Sequence, residues 1–163
     1  EKQEPELKLT EFDLKALVEE VVNSMKLQFE RFEAEVDLQV TNDDYSIQAD
    51  RIHIMSVIYN LVDNALKYSP ANPKIDIRLQ PKGDFVELSV KDNGIGIPAE
   101  YQNKIFDKFF RVPTGDRHNI KGHGLGLSYI ASVIEEHGGT IALQSKLHEG
   151  STFTVRLPQK PLD

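Results

Sequence analysis

The 163-residue sequence contains no cysteine and no tryptophan. Without cysteine there are no disulfides, no thiolate nucleophile and no thiolate zinc site, which fits a reducing compartment. No run of about 18 apolar residues occurs, so no membrane-spanning helix is predicted. No signal peptide is expected at the start. Positive charge is scarce: 19 Lys and Arg stand against 26 Asp and Glu, for a net charge of −7. General nucleic-acid binding needs a basic face, so that class is disfavoured. No internal repeat and no low-complexity tract is present. The sequence opens on Glu1 rather than Met, and is expected to be a segment of something longer.

What is present is enough for one domain. Hydrophobic residues make up 39% of the chain, which can bury a real core. Residues 1–9 are charged, contain Pro5 and read as a linker. From Asp13, a plausible N-cap, Leu14, Leu17, Val18, Val21, Met25, Phe29 and Phe32 recur at helical spacing. Val36, Leu38 and Val40 then alternate with polar residues, predicting a strand. Asn42-Asp43-Asp44 reads as a turn and Tyr45–Ala49 as the returning strand. A second helix is predicted over about 51–68, stopped by Ser69-Pro70. Alternation at Ile75, Ile77, Leu79 and at Val86, Leu88, Val90, across Pro81-Lys82-Gly83-Asp84, predicts a hairpin. Residues 92–122 are long and irregular, with a basic, aromatic centre at Phe106–Arg111; such a connection is usually functional. A third helix fits 124–137, strands fit 140–146 and 151–157, and a Pro-rich tail ends the chain. This order predicts an α/β two-layer sandwich, one sheet with helices layered on it.

Three constellations could carry chemistry. On the helix 51–68, His53, Asn60, Asn64 and Lys67 fall within a narrow arc at about 100° per residue. That arc is either a solvated face or a ligand face. Asn is a weak helix former, its side-chain oxygen suits a hard cation such as Mg²⁺, and Lys suits phosphate. Asp92 continues the inward period of Val86, Leu88 and Val90, and Gly94 and Gly96 follow at once. An acceptor-only carboxylate there suits the amino group of adenine and would repel guanine; Asp92-Asn93-Gly94 also reads as an ordinary turn. Gly122, Gly124 and Gly126 precede the third helix, where exposed N–H groups make an anion site, a hinge, or both.

Other chemistry is excluded or unsupported. The glycines match neither G-x-x-x-x-G-K-[ST] nor G-x-G-x-x-G. No H-R-D or D-F-G occurs, which excludes a eukaryotic-type protein kinase, and no G-x-S-x-G supports an α/β-hydrolase. His118, His137 and His148 make no metal spacing and read as surface histidines.

In order along the chain stand Asn60-Leu61-Val62-Asp63-Asn64-Ala65-Leu66-Lys67-Tyr68-Ser69, Asp92-Asn93-Gly94-Ile95-Gly96-Ile97-Pro98 and Phe106–Arg111. Gly122-His123-Gly124-Leu125-Gly126-Leu127 and Gly150-Ser151-Thr152-Phe153 follow. This series resembles the N, G1, F, G2 and G3 boxes of two-component sensor histidine kinases, over about Phe12 to Leu157. The resemblance implies the catalytic and ATP-binding domain. The implied fold is the Bergerat type shared with DNA gyrase and MutL: a mixed sheet packed against three helices. The domain would span 10–158, with an ATP lid over about 98–121 and a tail at 159–163.

The resemblance also implies roles. Asn64 would ligate Mg²⁺, with Asn60 close by as a further ligand. Lys67 would contact phosphate and Tyr68 would lie beside the nucleotide. Asp92 would take the adenine amino group, with Thr152 helping through water. Gly94, Gly96 and Ile97 would shape the adenine pocket. Gly122, Gly124, Leu125, Gly126 and Leu127 would serve the phosphates, and Arg111 the γ-phosphate or a partner surface. Gyrase-like ATPases carry Glu where this chain has Asn60, and a neutral amide is a poor base for activating water. ATP would be spared for a histidine of a dimerisation domain, by positioning and electrostatics.

That phosphoacceptor domain is missing here, since none of the five His residues is followed by an acid in a helical hairpin. The implied partners are the dimerisation domain and a response regulator receiver domain, without nucleic acid or direct membrane contact. The fragment is expected to be monomeric and cytoplasmic, with the parent anchored in the bacterial inner membrane. Two alternatives remain: a nucleotide-sensing docking module without transfer, and a gyrase-like ATPase. A serine-kinase relative that inhibits sigma factors is disfavoured by Phe106–Arg111.

Overall fold

In the computed structural model, which describes residues 6–108, 110 and 123–159, the alternating segments build the sheet that carries the core. Strands β1 (Leu9–Asp13), β2 (Glu35–Val40), β3 (Ser46–Asp50), β4 (Lys74–Lys82), β5 (Phe85–Asp92), β6 (Thr140–Lys146) and β7 (Gly150–Pro158) form in chain order. Five of them make a mixed sheet in the order β2-β4-β5-β7-β6. Only β2 and β4 run parallel; the other pairs are antiparallel. The register sets Ile77 opposite Val90 and Val90 opposite Phe153, so their side chains share one face. Along β5 that face carries the buried Val86, Leu88, Val90 and Asp92.

Helices α1 (Leu14–Ser24), α2 (Lys26–Phe32), α3 (Arg51–Lys67) and α4 (His123–Glu136) accompany the sheet. Helix α3 buries Ile54, Val57, Ile58, Leu61, Val62, Ala65 and Leu66, and packs on β4 and β5; α4 packs on β6 and β7. The predicted N-cap is formed: Asp13 accepts a hydrogen bond from the Lys15 N–H at 3.0 Å. The fold is the predicted two-layer α/β arrangement. No helix among the described residues is long and apolar enough to cross a membrane.

Two expectations about the first third are corrected. The helix from Asp13 to Phe32 is broken into α1 and α2. Ser24 Oγ donates to the Val21 carbonyl at 2.7 Å, competing with the helical ladder. The chain turns at Met25, whose side chain enters the core at 1% exposure. The segment after the Asn42–Asp44 turn does not return against β2. Instead β3 pairs antiparallel with β1, Leu9 opposite Asp50 and Phe12 opposite Ile47, as a separate two-stranded sheet. Asp50 explains why that small sheet is firmly placed. Its buried carboxylate caps α3 through the His53 N–H at 3.2 Å and holds the Lys8 N–H at 2.9 Å. Burial pushes its pKa up, but these N–H donors outweigh it and hold the carboxyl below its usual value.

Candidate functional site

Asp92 ends β5 on the inward face, 7% exposed, directly below the helices. The Gly94 N–H donates to its Oδ1 at 2.8 Å and the Ser151 N–H at 3.2 Å. No donor among the described residues reaches Oδ2. Burial pushes the carboxyl up to about 6, against the pull of those two N–H groups. A carboxylate is held there at a desolvation cost, with one oxygen left to accept from a donor outside the described residues.

The backbone after Asp92 is packed too closely for side chains. A Cβ on Gly94 would stand 2.5 Å from the Tyr68 carbonyl oxygen. Gly96 has φ +73°, and a Cβ there would stand 2.1 Å from the Lys146 carbonyl oxygen. Between them, the Ile95 N–H donates to the Tyr68 carbonyl at 3.1 Å, and the Ile95 carbonyl accepts from the His148 N–H at 2.7 Å. The loop is thus clamped between the end of α3 and the β6–β7 turn. Ser145 Oγ accepts from the Ile97 N–H at 2.8 Å, and Gln102 Nε2 donates to the carbonyls of Ile97 and Ser145 at 2.8 and 3.0 Å.

The polar arc of α3 faces this loop at one end and α4 at the other. At the far end, His53 Nδ1 lies 2.7 Å from the Tyr129 hydroxyl of α4. At the near end, Tyr68 follows the helix and carries the carbonyl that meets Gly94 and Ile95. Asn60 and Asn64 lie on the same arc between these ends, both half-buried. Asn60 Nδ2 donates to the Ser56 carbonyl at 2.8 Å, which leaves its Oδ1 available. The Asn64 side chain has no hydrogen-bond partner among the described residues. Lys67 is ion-paired with Asp63 at 2.9 Å.

Gly124, Leu125, Gly126 and Leu127 lie inside α4 rather than ahead of it, because the helix already begins at His123. The N–H groups of 123–126 are therefore among those a helix leaves without intrahelical partners. Leu127 anchors the segment in the core at 7% exposure. At Gly126, nothing among the described residues lies within 4 Å of where a Cβ would sit. Arg111, Gly122, and within 98–121 residue 109 and residues 111–121, lie outside the described residues.

Thr152 is not brought to Asp92. Its cross-strand partners are Lys91 and Gln144, on the sheet face turned away from the helices. Ser151, one residue earlier, is inward, buried and bonded to Asp92. Sequence reasoning missed Ser151, Ser145 and His137. For the first two, the inward period of Phe153, Val155 and Leu157 on β7, and of Ile141 and Leu143 on β6, carried the signal. His137, expected at the surface, is half-buried with both ring nitrogens engaged. Its Nε2 accepts from the Asp50 N–H at 3.0 Å, and Nδ1 lies 2.7 Å from the Val133 carbonyl. A backbone N–H can only donate, so this ring is the neutral Nδ1–H tautomer.

The groups on these elements are a buried carboxylate, two amide side chains on one helix arc, and a glycine-containing helix start. They suit a ligand with a planar amino-bearing ring, a hard cation and an anionic tail.

Residues 49–161 match the family described as histidine kinase-, DNA gyrase B-, and HSP90-like ATPase. The sensor protein RprX of Bacteroides fragilis is 39% identical over 160 residues, which are 97% of this chain and 31% of RprX. The chain thus spans about a third of that relative's length. The catalytic domain of histidine kinase ThkA, in a nucleotide-free form, superposes with a TM-score of 0.83 at 34% identity, covering 94% of this chain and 99% of that one. ThkA in complex with response regulator protein TrrA superposes with a TM-score of 0.79 at 32% identity, covering 94% of this chain and 42% of that one.

Proposed function

Because the chain belongs to the family of histidine kinase-, DNA gyrase B- and HSP90-like ATPases, we propose that it is the catalytic and ATP-binding domain of a two-component sensor histidine kinase. It binds Mg-ATP and donates the γ-phosphate to a histidine on the dimerisation domain of its parent. A response regulator receiver domain is the next partner, a reading supported by the complex of ThkA with response regulator protein TrrA. The observation that carries this reading is Asp92: a carboxylate 7% exposed, with both N–H donors on one oxygen and the other oxygen open.

Asp92 Oδ2 accepts the adenine amino group, a contact that guanine's oxygen would turn into repulsion. Gly94 and Gly96, packed against the Tyr68 and Lys146 carbonyls, fix the path of the loop that shapes the purine pocket with Ile97, and Tyr68 lies beside the purine. Ser151 takes the supporting role that the motif comparison gives to Thr152, because Ser151 shares the face of Asp92. The side-chain oxygens of Asn64 and Asn60 hold the metal; neither is committed to another described donor. When bound, Mg²⁺ supplies neutralisation of phosphate charge. Lys67, shared with Asp63, and the N–H groups at Gly124, Leu125 and Gly126 hold phosphate oxygens, while Leu127 anchors that helix start in the core. For Gly122 and Arg111, which lie outside the described residues, the motif resemblance implies a phosphate-binding role.

Transfer needs alignment more than a base. An incoming imidazole attacks phosphorus with its lone pair while the bond to the ADP oxygen breaks. Asn60, unlike a carboxylate, does not draw a proton from water, so hydrolysis is slow. The test is to mix the chain and γ-labelled ATP with the parent's dimerisation domain, purified separately. The expected product is label on the acceptor histidine, lost with Asp92→Asn. Saturated ATP binding without transfer, at high concentrations of both pieces, overturns the kinase reading. Steady phosphate release abolished by Asn60→Ala would place the chain among the gyrase-like ATPases instead.

A further inference from the structure

The hydroxyl of Ser145 has one proton and two lone pairs to distribute, and three partners surround it. The Ile97 N–H donates to it at 2.8 Å, the Gly150 carbonyl lies at 3.1 Å, and the Ser151 hydroxyl lies at 2.8 Å. The Gly150 carbonyl can only accept, so a hydrogen bond there takes the Ser145 proton; the Ser145–Ser151 contact itself permits either donor. The second lone pair of Ser145 then receives the proton of Ser151. The register supports the arrangement, since Ser145 and Ser151 are direct cross-strand partners on the inward face. The assembly is held from outside by Gln102, whose Nε2 bonds both the Ile97 and the Ser145 carbonyls.

With its proton drawn toward Ser145, Ser151 offers only lone pairs to the space beside Asp92. Its N–H is already committed to Asp92 Oδ1 at 3.2 Å. Both side chains at that corner are then acceptors. We propose that Ser145 is a specificity-positioning residue: through the hydroxyl relay to Ser151 it makes the purine subsite accept a 6-amino group and reject a 6-oxo group. It touches no ligand itself and acts by setting the polarity of Ser151. The proposal rests on the nucleotide-binding reading and deepens it.

The test uses ATP and inosine triphosphate, which differ at the 6-position in this sense, in titration calorimetry with magnesium. The wild-type chain is expected to prefer ATP. Ser145→Ala frees the Ser151 hydroxyl to turn and donate to the oxo group, narrowing that preference by about two- to tenfold, the worth of one neutral hydrogen bond. Ser145→Thr, which keeps the hydroxyl, is expected to retain the wild-type ratio. In a Ser151→Ala background, adding Ser145→Ala is expected to leave the ratio unchanged. A folded Ser145→Ala chain with the wild-type ratio overturns the relay, and so does an equal effect of Ser145→Ala with and without Ser151. If Ser145→Ala does not fold, Ser151→Ala alone decides: an unaltered ratio overturns the relay, a narrowed one supports it. A wild-type chain that binds neither nucleotide overturns the nucleotide reading and the relay with it.

Discussion

Asp92→Asn should make the empty protein more stable and the site worse. Burial pushes the Asp92 carboxyl from 3.8 up to about 6 in the fold, although the N–H groups of Gly94 and Ser151 pull the other way. Between those values the folded chain holds a proton that the unfolded chain has released. Folding stability attributable to Asp92 therefore falls as pH rises from about 4 to about 6, and the loss is complete above that window. Two units correspond to about 3 kcal/mol. Asn at this position keeps an oxygen for the Gly94 and Ser151 N–H groups and carries no charge. At about pH 8 the variant should gain about 1–3 kcal/mol, which raises Tm by about 2–4 °C per kcal/mol. At about pH 4, the lower edge of that window, where Asp92 is protonated in the fold and about half protonated in the unfolded chain, most of the gain should be lost.

ATP affinity should move in the opposite direction. The Asn amide replaces an acceptor with a group that also presents donors to the adenine amino group. Binding should weaken by about 1–3 kcal/mol, the cost of a mismatched buried polar contact. In the wild-type chain, affinity should fall as pH drops through about 6, because protonation removes the same acceptor. Denaturant unfolding of both proteins across about pH 4–8, with calorimetric ATP titrations alongside, measures each effect. Taking the stability difference between the two proteins isolates Asp92 from Asp50 and Glu87, whose pKa values are lowered by hydrogen bonds against the push of burial. A difference that is flat with pH, or a variant less stable at about pH 8, would refute the reasoning.

Three further outcomes follow from named contacts. Asn64→Ala should bind ATP with the same affinity with and without magnesium; a metal dependence equal to that of wild type removes Asn64 from the ligand set. Gly96→Ala puts a Cβ 2.1 Å from the Lys146 carbonyl oxygen at a φ of +73°, so the loop must shift. A loss of at least about 2 kcal/mol in urea unfolding is expected, and a loss below about 0.5 kcal/mol contradicts that geometry. His137→Ala leaves the Asp50 N–H without its acceptor and should cost about 1–3 kcal/mol. An unchanged unfolding midpoint would return His137 to the status of a surface residue.

The parts of the site that could be read in advance are those governed by local geometry. The inward position of Asp92 follows from Val86, Leu88 and Val90, because a strand alternates whatever it pairs with. The arc of Asn60 and Asn64 follows from helical pitch alone. The same two-residue period, counted back from Phe153, turns Thr152 outward and Ser151 inward, so that assignment was legible and the motif spacing obscured it. Pairing between distant segments was not legible. β1 is short, largely exposed and without alternation, so nothing local marks it as the partner of β3. His137 illustrates the limit most sharply. Its acceptor nitrogen serves a backbone N–H 87 residues earlier in the chain, and no property of residues 130–140 announces that donor. Ser145 shares both conditions: its face follows from Ile141 and Leu143, but the N–H that takes one of its lone pairs belongs to Ile97, 48 residues earlier. Side-chain direction is a local property; hydrogen-bond polarity arises only where separate segments meet. The specificity proposed for this site therefore resides in contacts that periodicity alone cannot encode.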